Sequence, residues 1–289
     1  NPDNLSLDKK KFKARNNVKT LEFLGQDIVN IVYNDFKGGV DFLVDITKGS
    51  SVNFISANLY DKASNQLLFK PYHIMEKDGA KIAFIGLSQS ARFQSVTNKN
   101  FVQEGNRYID ELKPEVDLII LLVNVRDDNV LDLSASFAEA DYIFLSGSTK
   151  RTEPRTMQNE NGALVYAGGI QGKHLSILDI RVKEPNIAIN DVSSPFNRLQ
   201  EIDYRLNRLK AKDPSKKLEE VYANQPNVLD LIRKYQKEAT ELGISLAGYQ
   251  NRSIFFSVPL SPTIPDDKKV AAFIEKIAKK ADFPLKHEH

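Results

Sequence analysis

The sequence predicts an α/β fold, and two observations in its first 182 residues support this. Short apolar runs rich in Val, Ile and Phe alternate with stretches of helical periodicity, a pattern typical of α/β proteins. Residues 82–87 and 118–123 are apolar at consecutive positions, so they fit strands buried on both faces of a sheet. In chain order the predicted strands are "DIVNIVY", "VNFISANLY", "KIAFIGL", "VDLIILLVNV", "DYIFLSG", "ALVYAGG" and "LSILDIRV". Residues 40–48 and 101–112 are predicted helices.

Beyond residue 190 the pattern becomes helical, which predicts a first domain over residues 1–190 and a helical extension over residues 191–289. An apolar stripe at three- and four-residue spacing opens the extension: Leu199, Ile202, Leu206 and Leu209. Because fewer than three heptads are visible, an amphipathic helix lying on the first domain explains the stripe at least as well as dimerisation.

Two later helices resemble copies of one Pro-capped unit. They follow "NQPNVLDL" and "SPTIPDDKKV", where an Asn or Asp stands near a Pro ahead of apolar residues in helical register. The strand "RSIFFSVPL" between them is predicted to return to a sheet edge. We expect the helices of this extension to contact a protein partner.

Composition excludes several classes of protein. The 40 Lys and Arg nearly balance the 38 Asp and Glu, so bulk charge gives no support to nucleic-acid binding. The absence of Cys excludes disulfides, thiolate metal sites and cysteine nucleophiles. The longest apolar run, "LIILLVNV", is too short to span a membrane, and no phosphate-loop, dinucleotide-binding or nucleophile-elbow motif occurs. Because the chain begins at Asn1 rather than Met, we expect a processed or partial product.

The four histidines are weak candidates for a catalytic or metal site. His73 and His174 lie at predicted strands, where a packing or hydrogen-bonding role is the more common one. His287 and His289 in "KHEH" offer a loose metal site, but a solvated terminal tail is the favoured interpretation.

Three acids follow a buried strand, where α/β proteins place their sites. Asp127, Asp128 and Asp132 stand in "VRDDNVLDL", directly after the predicted strand at residues 118–123. They can also be explained as acids that cap the next helix, and we favour that interpretation over a metal site.

The segment "SANLYDKASNQLLFKPYHIMEKDGAKIAFIGLS", residues 56–88, resembles the 5′-nucleotidase family of calcineurin-like metallophosphoesterases. The likeness continues through "VDLIILLVN", "ADYIFLSGSTKRTEP" and "ALVYAGGIQGKHLSILDIRV" and covers residues 20–182. It implies a four-layer α/β/β/α sandwich and a pair of divalent metal ions (Mn, Zn or Mg) that activates water to attack a phosphate ester. Export of that family, and a fainter likeness of the tail to nucleotidase-like proteins found beside multihaem cytochromes, imply a periplasmic or exported location in the bacterial cell envelope.

The positions that match the family's metal ligands carry other residues. The family's "GNHE" falls on residues 32–35, so its ligating amide is replaced by Tyr33 and its histidine by Asn34. A ligand histidine falls on Asn124, and the two histidines of "GHTH" fall on Ser148 and Lys150. Lys150 would put a cation where a metal needs an imidazole lone pair. A shift of one residue would place Asn34 at the amide and Asp35 at the histidine, which restores a single ligand.

The family's earlier motifs, "DxH" and "GD", have no counterpart, because the chain begins after them. A sandwich sheet without those strands would expose unpaired backbone. We therefore expect the natural chain to be longer at its N-terminus, or another chain to supply the strand.

The resemblance and its departures together predict a catalytically degenerate phosphoesterase domain that is a binding or scaffold module rather than an enzyme, with no cofactor expected. A small anion would find donors and positive charge at one turn, although a plain surface turn is favoured there: Ser146, Ser148, Thr149, Lys150 and Arg151. The alternative is an active metal-dependent phosphohydrolase with a metal pair on unconventional ligands: Asp35, Asp127, Asp128 and Asn58.

Overall fold

The computed structural model describes residues 6–90, 93–125, 132–153, 158, 162–184 and 187–281. The predicted mixed α/β class is confirmed, with several sheets and helices in these ranges. Unit 1 comprises Asn1–Arg151, Asn159–Lys173 and Leu260–His289, and unit 2 comprises Thr152–Gln158 and His174–Pro259. Within unit 2 the strand His174–Arg181, which precedes residue 190, pairs with the strand Arg252–Pro259, which follows it. The division into domains at residue 190 stays a prediction.

The elements of unit 1 are numbered along the whole chain. Its helices are α1 (Leu7–Phe23), a 3-10 helix (Tyr33–Gly38), α2 (Val40–Thr47), α3 (Phe101–Leu112), α4 (Leu133–Ser136) and α8 (Lys268–Ala281). Its strands are β1 (Ile28–Asn30), β2 (Asn53–Ile55), β3 (Leu59–Asp61), β4 (Tyr72–Lys77), β5 (Ala80–Ser88), β6 (Val96–Asn98), β7 (Leu118–Asn124), β8 (Tyr142–Ser146) and β9 (Leu164–Ala167).

The main sheet of unit 1 has the strand order β4-β5-β7-β8-β9. β4 and β5 form an antiparallel hairpin around Asp78 and Gly79, whose φ angles of 52° and 85° fit a two-residue turn. β5, β7, β8 and β9 are parallel. The two runs that are apolar on both faces, β5 and β7, are neighbours inside this sheet, and α3 packs against its core through Ile109 and Leu112.

A smaller parallel pair, β1 and β2, starts from Ile28 opposite Asn53. The predicted first strand is short because the chain turns into the 3-10 helix after residue 32, and Phe36 of that helix is fully buried. The predicted strand "VNFISANLY" is divided into β2 and β3 around residues 56–58.

Helix α1 was not predicted, and none of its residues is buried. Phe23 at its end stacks on Phe273 of α8 with ring centroids 4.4 Å apart. No helix in the described part of the chain is long and apolar enough to cross a membrane.

Unit 2 contains a three-stranded sheet with helices. Its strands are β10 (His174–Arg181), β11 (Asn190–Asp191) and β12 (Arg252–Pro259), and its helices are α5 (Ser193–Lys210), α6 (Leu218–Val221) and α7 (Pro226–Gly248). The strand order is β10-β12-β11, so the prediction that "RSIFFSVPL" lies at a sheet edge is wrong. Both sides of β12 are hydrogen-bonded, by an antiparallel ladder to β10 and a parallel one to β11.

The predicted apolar stripe lies on α5, which packs on α7 and β12 within unit 2. Ile202 of the stripe is fully buried, and Leu199 packs against Leu246 and Ile254. Arg198 adds a two-pronged ion pair to Glu238 of α7, with nitrogen-oxygen distances of 2.6 and 2.9 Å.

The two helices interpreted as a repeat begin differently. α7 has Pro226 at its first turn, and the side chain of its N-cap residue Gln225 makes no capping hydrogen bond. α8 is capped by Asp267, whose carboxylate accepts from the backbone N–H groups of Lys269 and Val270. The helices also differ in length, at 23 and 14 residues.

Candidate functional site

A row of polar residues lies at the carboxyl ends of three parallel strands. The register places Ser88 of β5 beside Asn124 of β7, and Asn124 beside Ser146 of β8. The Asn124 side-chain amide donates to the Ser146 hydroxyl at 3.0 Å. This edge is where open α/β sheets place ligands, so it is the location at which the resemblance puts a metal site.

The turn after β8 lies tightly against this row. Gly147 has a φ of 82°, and a Cβ there would stand 2.5 Å from the Val125 carbonyl oxygen and 2.7 Å from the Asn124 amide nitrogen. Ser148 is 4% exposed, and its hydroxyl accepts from the backbone N–H of Lys150 at 3.1 Å. The Ser148 hydroxyl therefore stabilises the turn itself.

The predicted anion-binding residues lie at the end of β8, where Ser146 is, and in the turn that follows it. Thr149 and Lys150 are exposed, while Arg151 forms a backbone bridge with Gly168. The geometry is that of a polar surface turn, and anion binding by it stays a prediction.

The positions that match "GNHE" lie in and before the 3-10 helix. The Asp35 carboxylate accepts from the backbone N–H of Val32 at 2.8 Å and so closes the start of that helix. Asp35 keeps exposed surface, but desolvation of its carboxyl raises its pKa above the ordinary value, and the bond from Val32 opposes the rise. Tyr33 packs against the cluster that contains Ile31 and Phe36.

Asn34 and Asp35 also line a cleft of about 330 Å³ in unit 1. Its other walls are α1, α2 and the β1–β2 pair. Three lysines, Lys10, Lys13 and Lys37, line the same cleft. None of the other matched positions, Asn124, Ser148 or Lys150, contributes to it.

Asn58, a fallback metal ligand, is fully buried and hydrogen-bonded at both ends of its amide. Its side-chain oxygen accepts from the Ser88 N–H at 3.0 Å. Its side-chain nitrogen donates to Ser88 O at 2.7 Å, Asn98 Oδ1 at 2.7 Å and Lys99 O at 3.0 Å. A metal ion would have to displace these bonds, so the structure assigns Asn58 to the scaffold.

The remaining polar candidates have mostly structural contacts. Asp132 is the N-cap of α4 and accepts from the backbone N–H of Ala135, which confirms the capping interpretation for this acid. His73 lies on β4, and His174 contacts the Ser257 hydroxyl at 3.2 Å. Asp127, Asp128, His287 and His289 lie outside the described residues.

The residues at the matched positions do not fit a pair of divalent cations. Such a site needs carboxylate and imidazole ligands at fixed positions. The matched positions instead carry Tyr33, Asn34, Asn124, Ser148 and Lys150. Across the described ranges there is no group of three or more His, Asp or Glu side chains that could hold a metal ion.

Sequence reasoning missed Asn30, which joins the β1–β2 pair to the main sheet. Its side-chain nitrogen donates to Leu87 O at 2.9 Å and Leu122 O at 2.8 Å, at the carboxyl ends of β5 and β7. Its side-chain oxygen is buried without a hydrogen-bond partner in the described part of the chain. The signal was a single polar residue inside the apolar run "DIVNIVY".

Comparison with known proteins identifies the fold. No family model matches the sequence. Over 123 residues the chain is 30% identical to a 5′-nucleotidase of Vibrio cholerae, a match that covers 39% of this chain and 22% of that protein. Over 75 residues it is 35% identical to Protein UshA of Yersinia enterocolitica, covering 26% of this chain and 14% of that protein. The chain thus spans less than a quarter of either relative.

A solved structure extends the likeness over most of the chain. The calcineurin-like phosphoesterase YfkN from Bacillus subtilis matches with a TM-score of 0.58 and 15% identity, over 91% of this chain and 73% of that one. The fold is therefore that of the calcineurin-like phosphoesterases. Within this class, the chain contains a 5′-nucleotidase-like domain, matched over part of its length.

Proposed function

We propose that this chain is a catalytically degenerate 5′-nucleotidase-like domain, which serves as a binding or scaffold module in the bacterial cell envelope. The observation that carries the proposal is the replacement of the matched metal ligands by residues with structural contacts. Asn124 bonds to the end of β8, and Ser148 stabilises its own turn. Asp35, which matches the family's histidine after a shift of one residue, closes the 3-10 helix. A side chain already bonded to the fold is a poor ligand, because binding a metal would cost those bonds.

A protein partner at the C-terminal helices belongs to the same proposal. Tyr204 on α5 and Ile244 on α7 expose 63% and 71% of their surface, although both are large apolar side chains. Apolar side chains of this kind contribute strongly when an interface buries them. The location in the cell envelope is inferred from the resemblance and is consistent with the export expected of that family.

A second candidate is a metal-dependent phosphohydrolase with unconventional ligands. It is favoured by the sequence positions of Asp127 and Asp128, which come three and four residues after Asn124, the last residue of β7. Together with Asp35, these acids would have to supply the charge that a metal pair needs.

Hydrolysis of p-nitrophenyl phosphate with added Mn²⁺ separates the two candidates. The proposal expects no turnover above that of buffer with Mn²⁺. Turnover that is lost in Asp127→Asn/Asp128→Asn but kept in Asp132→Asn would overturn the proposal. Asp132→Asn is the matched control, because it removes the same charge from an acid that caps α4.

A further inference from the structure

We propose that the cleft beside α1 binds a small organic anion with an apolar tail. The cleft is lined by one face of α1, the 3-10 helix, α2 and the strands β1 and β2. This inference goes beyond the proposed function: the cleft includes Asn34 and Asp35 of the 3-10 helix but none of the matched metal positions on β7 or in the turn after β8.

The lining of the cleft changes from charged to apolar along helix α1. Its lining residues recur at three- and four-residue spacing, so they form one stripe of the helix: Lys10, Lys13, Ala14, Asn17, Val18 and Leu21. The stripe starts with two lysines and ends with two aliphatic side chains. From Lys10 to Leu21 the stripe is about 16 Å long at the rise of an α-helix.

The opposite wall repeats this division. Lys37 and Asn34 of the 3-10 helix are polar, whereas Leu43, Ile46 and Phe54 are apolar. A concave apolar surface with a few polar groups is the usual form of a small-molecule site.

The charge of the lining favours an anion. Three lysines face one aspartate, Asp35, which leaves the cleft with a net charge of +2. The helix that carries two of the lysines is itself basic, with the sequence "LDKKKFKARNNVKTLEF". An anion would also lie near the first turns of α1, where the helix dipole favours negative charge.

The volume sets the size of the ligand. A cleft of about 330 Å³ corresponds to about eleven water-sized groups, so it accommodates a ligand of about ten non-hydrogen atoms. Octanoate has this size, and octyl phosphate is slightly larger. Both combine an anionic head with an unbranched apolar tail, and they distinguish a carboxylate from a phosphate head.

Titration calorimetry with octanoate and octyl phosphate tests the proposal. We expect saturable binding of at least one of them, weaker binding of neutral octanol, and no measurable binding of inorganic phosphate. Because burial of each CH₂ contributes about 0.8 kcal/mol, shortening the tail from octanoate to hexanoate should weaken binding on the order of ten-fold.

Substitutions locate the site. Lys10→Gln/Lys13→Gln/Lys37→Gln should weaken binding of the anions about ten-fold or more, as expected for three partly exposed charge contacts. The matched control is Lys9→Gln/Lys19→Gln/Lys62→Gln, which removes the same charge from exposed lysines that do not line the cleft. It should change affinity less than about three-fold, because exposed charges at this distance are screened by salt.

A substitution that fills the cleft tests the site without changing its charge. Ala14→Phe should abolish octanoate binding without removing any charge, with folding confirmed by circular dichroism. The absence of saturable binding of both anions, or equal losses in the two triple variants, would overturn the proposal. Neither result affects metal content or phosphatase activity, so a failure here is distinguishable from a failure of the proposed function.

Discussion

Gly86 of β5 tests the packing that holds the β1–β2 pair on the main sheet. A Cβ at this position would stand 2.6 Å from Asn30 Oδ1 and 2.9 Å from both Ile55 Cγ1 and the Ile55 carbonyl oxygen. Hydrogen bonds hold two of the three groups in place. The Asn30 amide is bonded to two carbonyl groups, and the Ile55 carbonyl accepts from the Ile31 N–H at 2.9 Å.

The substitution Gly86→Ala should therefore lower the free energy of unfolding by about 2–4 kcal/mol. Overpacking a core position costs about 1–3 kcal/mol. Displacement of Asn30 would add about 1 kcal/mol for each weakened hydrogen bond. Urea denaturation followed by circular dichroism measures the change, with the midpoint and the slope compared separately.

Gly243→Ala is the control, because no atom lies within 4 Å of the added Cβ on α7. This partly exposed helix position should gain as much as about 1 kcal/mol from the change. A Gly86→Ala variant within about 0.5 kcal/mol of the parent protein, the range of neutral surface substitutions, would refute the packing argument. The cost of Gly86→Ala should also shrink in an Asn30→Ala background, since the two residues are in contact.

Three further outcomes are expected. Asn58→Ala should lower the free energy of unfolding by about 2–4 kcal/mol, measured by urea denaturation, because it removes the side-chain partner of the Ser88 N–H and of the Lys99 carbonyl group; a loss below about 1 kcal/mol would contradict the assigned role. Asp35→Asn should stabilise the protein at pH 7 but not at pH 3. Because the pKa of Asp35 is raised in the folded state, ionisation of its carboxyl destabilises the protein progressively as pH rises from the ordinary value of 3.8 through the folded-state pKa. Melting temperatures measure the effect, and an equal increase in melting temperature at both pH values would contradict it. Ile202→Ala should lower the free energy of unfolding by about 2–5 kcal/mol, measured by thermal denaturation, whereas Ile244→Ala, at an exposed position, should lower it by less than about 0.5 kcal/mol. Equal effects of the two substitutions would contradict the burial of Ile202 on α5.

The central strands could be predicted from the sequence because their pattern is local. β5 and β7 are apolar at consecutive positions, and only a strand covered on both faces explains such a run. The turn at Asp78 and Gly79 and the helix Phe101–Leu112 also have local signals, in turn chemistry and in an Asn cap at residue 100.

The long-range contacts could not be predicted in this way. Whether β12 lies at the centre or the edge of its sheet depends on which strands flank it, and β10 is distant in the chain. In the sequence Asn58 is one polar residue among many, and only the fold brings Ser88 and Lys99 within hydrogen-bonding distance of it. Helix α1 buries none of its residues, so hydrophobic periodicity gave no signal for it.

The assignment of residues to the candidate site stays a prediction from the resemblance. The resemblance located Tyr33, Asn34 and Asn124, because substitutions at matched positions are visible in the sequence itself. The cationic cleft was not predicted, because Lys37 lines the same cleft as Lys10 and Lys13 only when the 3-10 helix packs against α1.

Metal content tests the central claim most directly. Protein purified without chelator, incubated with Mn²⁺ and Zn²⁺ and then desalted, would be analysed by inductively coupled plasma mass spectrometry. The account predicts metal well below one equivalent per chain, and the same value for Asp127→Asn/Asp128→Asn. Two equivalents of either metal, lost in that variant, would contradict it and establish a working dinuclear site on unconventional ligands.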